Sequence, residues 1–231
     1  MSEIYDNVMR VREEIAAAAL SVGRAAEDIT LVAASKMNSA ARVREAISAG
    51  ADAAGENRVQ EMLQKSAEGA YTGAPLHFIG KLQTNKVRHV VGLCGLIESV
   101  DSPELLALIG KCAVSRGITQ NVLIEVNIGG EASKGGVLPE ELPELLQKSA
   151  ATQGVFIQGL MCIPPPADSA REQMRFFDGM YNVFVDIRDK KYDNISMRYL
   201  SMGMSDSFSS AIRAGASIVR VGSRIFGARA Y

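Results

Sequence analysis

The feature that most limits how this chain can fold is the alternation of short apolar runs with helix-forming stretches. Runs of strand character cover residues 29–35, 51–57, 76–80, 96–100, 121–128, 155–163, 199–205 and 217–227. Between them, residues 41–49, 58–66, 85–91, 103–116, 140–151, 170–190 and 207–214 are rich in Ala, Leu, Glu, Lys and Arg. Several of these stretches end at a glycine (Gly50, Gly117, Gly154, Gly215), as helix C-termini prefer. Ahead of the first run, Ile4, Val8, Val11, Ile15 and Leu20 recur at helical spacing and predict an amphipathic helix ending near Gly23. Alternating strands and helices require parallel pairing through crossovers. Eight such units close into a barrel whose interior side chains just fill. An open, doubly wound sheet competes, but the first run leads into "SKMNSAARV" and not into a GxGxxG turn. The expected class is therefore α/β, a parallel (β/α)8 TIM-type barrel with an additional N-terminal helix. No Gly/Ser linker or charge block interrupts the chain, so a single domain over residues 1–231 is expected.

Composition narrows the partners. A net charge of -1 argues against a general nucleic-acid binder, which needs a basic surface to displace counterions. Cys94, Cys112 and Cys162 are odd in number and far apart, which suits reduced thiols and neither a disulfide framework nor a zinc site. The opening "MSEIYDNVMRVREEI" is charged, and no apolar run approaches a membrane span. A soluble, cytoplasmic protein without membrane partners is expected.

In a barrel of this kind the active face lies at the C-terminal strand ends. There the sequence puts Lys36, Glu56, Asn57, His77, Lys81 and Asn127, then the loops "SMGMSD" (201–206) and "VGSRIFG" (221–227). Lys36 ends a strand that is otherwise apolar, and an ammonium so placed snorkels, finds an anion or loses its proton. The first loop carries Ser201, Met202, Ser205 and a glycine; the second places Gly222 and Ser223 where backbone amides can meet a ligand. Loops after the last two strands of such barrels recur as phosphate sites. An amine across a pocket from a phosphate can form an imine with a phosphorylated aldehyde, of which pyridoxal 5'-phosphate is the commonest. In "SIVRVGS", alternation separates Arg220 from Val219 and Val221; turned inward, it would face the ligand. A guanidinium beside a pyridine nitrogen leaves that nitrogen unprotonated and the ring a poorer electron sink.

The chain resembles the pyridoxal phosphate homeostasis proteins, single-domain relatives of the alanine racemase barrel. The resemblance rests on "AASK", "GENRVQE", "HFIGKLQTNK", "SVDS", "VLIEVNIGGEASKGG", "GLMCIPPP", "RFF" and "LSMGMSDSFSSAIRAGASIVRVGSRIFGAR", in this order and nearly end to end. It implies that Lys36 binds pyridoxal 5'-phosphate covalently as a Schiff base. It further implies that Ser201, Met202, Ser205, Gly222 and Ser223 lie in the loops holding the phosphate. Arg220 would lie against the pyridine nitrogen, and Asn57 near the ring.

Three kinds of function are compatible with these residues: a non-catalytic carrier or buffer of the cofactor, a racemase or other weak enzyme acting through Lys36, and a barrel binding a phosphate ligand without an imine. The resemblance favours the first, with cofactor-dependent apo-enzymes as transient partners and no catalytic residue or metal. A racemase needs an acid/base on each face of the α-carbon. Lys36 could serve one face; for the other no candidate is evident, since the sequence does not place Tyr199 or Tyr231.

Overall fold

The N-terminal helix α1 (Glu3–Leu20) forms where the apolar spacing places it. The Ser2 side chain accepts the Tyr5 N–H, and Glu3 and Asp6 in the first turn complement the helix dipole. Its buried stripe consists of Ile4, Val8, Val11, Ile15, Ala18 and Ala19. The computed structural model describes residues 2–131, 134–190 and 193–227. Among the described residues, eight strands follow in one closed parallel barrel, each neighbouring the next in sequence and the eighth returning to the first. They are β1 (Thr30–Ala34), β2 (Ala53–Glu56), β3 (Leu76–Phe78), β4 (Leu96–Val100), β5 (Gln120–Glu125), β6 (Val155–Met161), β7 (Ile195–Ser201) and β8 (Ile218–Val221). Every residue of β2, β3, β4 and β8 is buried, the mark of parallel strands covered on both faces.

The chain divides into two compact units, Met1–His77 with Met202–Tyr231, and Phe78–Ser201. In the first, β1 pairs in parallel with both β2 and β8. Helices α2 (Ala40–Ser48), α3 (Val59–Ala67), α8 (Phe208–Arg213) and α9 (Ser223–Phe226) belong to the same unit. Helix α1 packs on α8 and α9, where Asn7 Nδ2 donates to the Ile225 carbonyl at 3.0 Å. In the second unit α4 (Val87–Val90) precedes β4, and β4, β5, β6 and β7 pair in parallel with α5 (Pro103–Ser115), α6 (Leu142–Ser149) and α7 (Ala170–Arg188) between them. At the start of helix α5, Ser102 accepts the Leu105 N–H and Pro103 sits in the first turn, where its missing donor is not needed.

Two strands depart most from the expected bounds, while β3, β5 and β6 end two or three residues early. Strand β7 begins at Ile195 and ends at Ser201, four residues ahead of the predicted 199–205. Its early part alternates buried Met197 with exposed Ser196 and Arg198, which weakens the apolar signal. Its end is set by Gly203, which turns the chain with φ 93°. Strand β8 covers only Ile218–Val221, because Gly222 breaks the extended run and Ser223 starts a short helix.

Replacing Ile15, which is fully buried in α1, by alanine is expected to cost about 2–5 kcal/mol. Urea unfolding measures it; a loss below about 0.5 kcal/mol would mean that α1 does not hold α8 and α9 in place.

Candidate functional site

Register brings the polar strand ends of the first unit together. Ala34 of β1 lies opposite Gly55 of β2, and Ala33 lies opposite Val221 of β8. The Ser35 N–H donates to the Gly55 carbonyl at 2.9 Å, extending the first ladder by one step. Lys36 thus stands two residues past Ala34, Asn57 two past Gly55 and Ser223 two past Val221. Three adjacent strands end along one edge with these side chains. Lys36 and Asn57 are half-buried and Ser223 is exposed. Arg220, opposite Val32, is 3% exposed between two buried valines.

The two Gly/Ser loops are tied to each other. The Met202 N–H donates to the Ile218 carbonyl at 3.1 Å, and the Arg220 N–H to the Gly203 carbonyl at 3.0 Å, so residues 202–203 run beside β8. A side chain at Gly203 would meet the Ala211 Cβ at 2.5 Å, so only glycine lets this turn lie on α8. Ser205 Oγ accepts the Gly222 N–H at 3.1 Å, joining the first loop to the second. Gly222 approaches β1 closely: a Cβ there would lie 3.2 Å from the Ala34 carbonyl oxygen. An amine, two loops with hydroxyls and amides, and a buried guanidinium therefore occupy neighbouring positions. Ser201 belongs to the second unit, where its hydroxyl donates to Glu98 Oε2 at 2.6 Å, so its proton is already engaged.

Other polar residues named from the sequence have different surroundings. Asn127 Nδ2 donates to the Glu131 carbonyl and closes its own loop. His77 is buried in β3, and Lys81 is exposed. Tyr199 lies within β7, with the Arg198 guanidinium 5.0 Å from its ring centre. Tyr231 lies outside the described residues.

Sequence reasoning missed Lys65, a lysine of α3 that is only 5% exposed. Its Nζ lies 2.8 Å from Glu56 Oε1, 2.7 Å from Glu61 Oε1 and 2.8 Å from the Ser35 carbonyl oxygen. Three acceptors match the three protons of an ammonium. Glu56, the fully buried last residue of β2, also takes the Ser35 hydroxyl at 2.5 Å and the Tyr71 hydroxyl at 3.1 Å on the same oxygen. Glu61 accepts the Met37 N–H at 2.5 Å. Met37 has φ 65°, the left-handed region, which costs a residue with a Cβ about 1–2 kcal/mol. Its side chain is 61% exposed, so packing does not hold it there. The signal available in the sequence was the Glu61–Lys65 spacing of four on a helix, which ordinarily marks an exposed pair.

Removing one partner of a buried ion pair strands the other charge. Lys65→Met is accordingly expected to cost about 3–5 kcal/mol of stability. A chemical-denaturation midpoint equal to that of the unsubstituted protein would show that Glu56 does not need its ammonium partner.

The family described as alanine racemase, N-terminal domain, matches residues 12–230. The pyridoxal phosphate homeostasis protein of Aquifex aeolicus (strain VF5) is 40% identical over 226 residues, covering 98% of each chain. The crystal structure of an unknown protein from Bifidobacterium adolescentis superposes with a TM-score of 0.91 at 38% identity, over 97% of this chain and 94% of that one. The structure of PipY of Synechococcus elongatus PCC7942 with PLP bound gives 0.81 at 32% identity, over 94% and 100%. With a match along nearly its whole length and a barrel of the same kind, the chain belongs to the pyridoxal phosphate homeostasis protein family, on the barrel of the alanine racemase N-terminal domain.

Proposed function

We propose that this chain, acting as one barrel domain over residues 1–231, binds pyridoxal 5'-phosphate covalently through Lys36 and carries or buffers it in the cytoplasm. The observation that carries this reading is the register of β1 with β2 and β8, which sets Lys36 beside Asn57 and the Gly222–Ser223 loop. The residues present fit the group. A half-buried amine, a glycine in close approach to the strand end and a buried guanidinium on the next strand match its aldehyde, phosphate and ring. The PLP-bound relative supports the assignment. When bound, the cofactor supplies an aldehyde carbon that an amine takes up as an imine with release of one water, and a phosphate that anchors it.

The chain's own residues then have distinct tasks. Lys36 presents Nζ from the end of β1. Met202, Ser205, Gly222 and Ser223 form the phosphate loops, with the Ser205 and Ser223 hydroxyls as donors. Asn57 lies along the ring edge. Arg220, which cannot give up a proton at neutral pH, keeps the ring nitrogen unprotonated. A weak electron sink favours storage over turnover, and delivery to cofactor-dependent apo-enzymes follows as the use of the stored group. Among the described residues, no helix is long and apolar enough to cross a membrane.

Lys36→Ala is expected to abolish the visible absorption of the loaded protein while leaving it folded, since Lys36 is at a strand end and only half-buried. A retained band in the pure variant would move the covalent site to another lysine, Lys134 first. Ser205→Ala and Ser223→Ala should each weaken cofactor retention by about tenfold or more, since a hydrogen bond to a charged group contributes about 1.5–3 kcal/mol. Equilibrium dialysis reads this, and unchanged retention in both would place the phosphate elsewhere. In heavy water with saturating cofactor, α-proton exchange from alanine or serine is expected near background. Exchange with inversion at roughly one per second or faster would establish a racemase instead.

A further inference from the structure

We infer that Lys65, Glu61 and Glu56 form a clamp that fixes the main chain on both sides of Lys36 and so aims its amine; this rests on the reading that Lys36 carries the cofactor. The peptide before Lys36 is held through its carbonyl: the Ser35 oxygen receives Lys65 Nζ at 2.8 Å. The peptide after Lys36 is held at both groups: Met37 donates its N–H to Glu61 Oε1 at 2.5 Å, and Asn38 Nδ2 donates to the Lys36 carbonyl at 3.1 Å. The two holders are bonded to each other, Lys65 Nζ to Glu61 Oε1 at 2.7 Å, one helical turn apart on α3. They are moored to β2 through Glu56, which also fixes the Ser35 hydroxyl. Lys36 is thus the one residue between two anchored peptides.

The left-handed Met37 gives the clamp its purpose. Among the described residues it is the only non-glycine with positive φ. Such strain persists only where surroundings over-determine it, and it marks places where a neighbouring group must be aimed. The exposed Met37 side chain supplies no restraint; the turn is closed by the Asn38 N–H on the Ser35 carbonyl at 3.0 Å, and the Met37 N–H is taken by a carboxylate that a buried ammonium holds in turn. Turning the chain left-handed directly after Lys36 separates the lysine from the continuation toward α2. Lys65 and Glu61 are positioning residues: they act on Lys36 through the backbone.

The test uses Glu61→Ala and Glu61→Gln, which leave Lys65 and Glu56 paired. Glutamine keeps an acceptor oxygen for the Met37 N–H and alanine does not. In the cofactor-free protein, Met37 amide exchange in Glu61→Ala should quicken by about tenfold or more, the factor for losing one hydrogen bond to a charged group. The Leu31 amide, donated to Asp52 Oδ2 at 2.6 Å, should stay as protected as before. On mixing with pyridoxal 5'-phosphate, the visible band at Lys36 should form several-fold more slowly in Glu61→Ala and near the original rate in Glu61→Gln. Equal quickening at Met37 and Leu31 would reduce the network to general stability and overturn the inference. So would unchanged Met37 exchange, or freed exchange with an unchanged rate of band formation. If the unsubstituted protein forms no adduct at Lys36, the functional reading fails. In that event the exchange measurements still decide whether Glu61 holds the Met37 peptide.

Discussion

The parallel pairing of β1 with β2 on one side and β8 on the other is the constraint on which the proposed site depends. Parallel strands in register end together, so residues that follow their last paired positions gather at one edge. That rule carries Lys36, Asn57 and Ser223 to one edge, each two residues past a paired position. A slip of one residue between β1 and β2 would exchange the environments of Ser35 and Lys36. The Ser35 hydroxyl, bonded to both Glu56 and the Gly55 carbonyl, opposes that slip.

Around this edge the protein places charge where a barrel would ordinarily exclude it. A buried ammonium is tolerated only when its protons are all taken and opposite charge lies close by. Lys65 meets both conditions with two carboxylates and a carbonyl. Well-packed apolar residues could fill the same space with equal stability. What they could not do is bond to the peptides flanking Lys36, so the ionic network is better understood as a device for geometry than for stability.

The loops show a second economy of design. Gly203 is needed because the turn lies directly on α8, and Gly222 because the chain passes close to the end of β1. The hydrogen bond from Gly222 to Ser205 joins these two loops, and α1 braces α9 from outside through Asn7. On the proposed reading this rigidity suits a protein that retains a cofactor. The donors are fixed before the phosphate arrives, and little ordering remains to oppose binding.

The sequence by itself determined the kinds of element and their order. Period-two and helical spacing are local, so α1 and the count of eight strands could be read directly, and the barrel followed from their alternation. Lys36 at the end of an apolar strand and the glycine–serine composition of the two loops were equally legible. The start of β7 was not, because Ser196 and Arg198 interrupt its apolar pattern and the strand gains its stability from its neighbour β6. Nor could the sequence show Lys65 as buried: Glu61 and Lys65 have the spacing of a surface pair. Only the approach of Glu56 and the Ser35 carbonyl from other strands supplies the acceptors that let an ammonium leave water. The tertiary structure decided which charges are buried, because the energy of a buried charge depends on partners that folding alone brings within 3 Å.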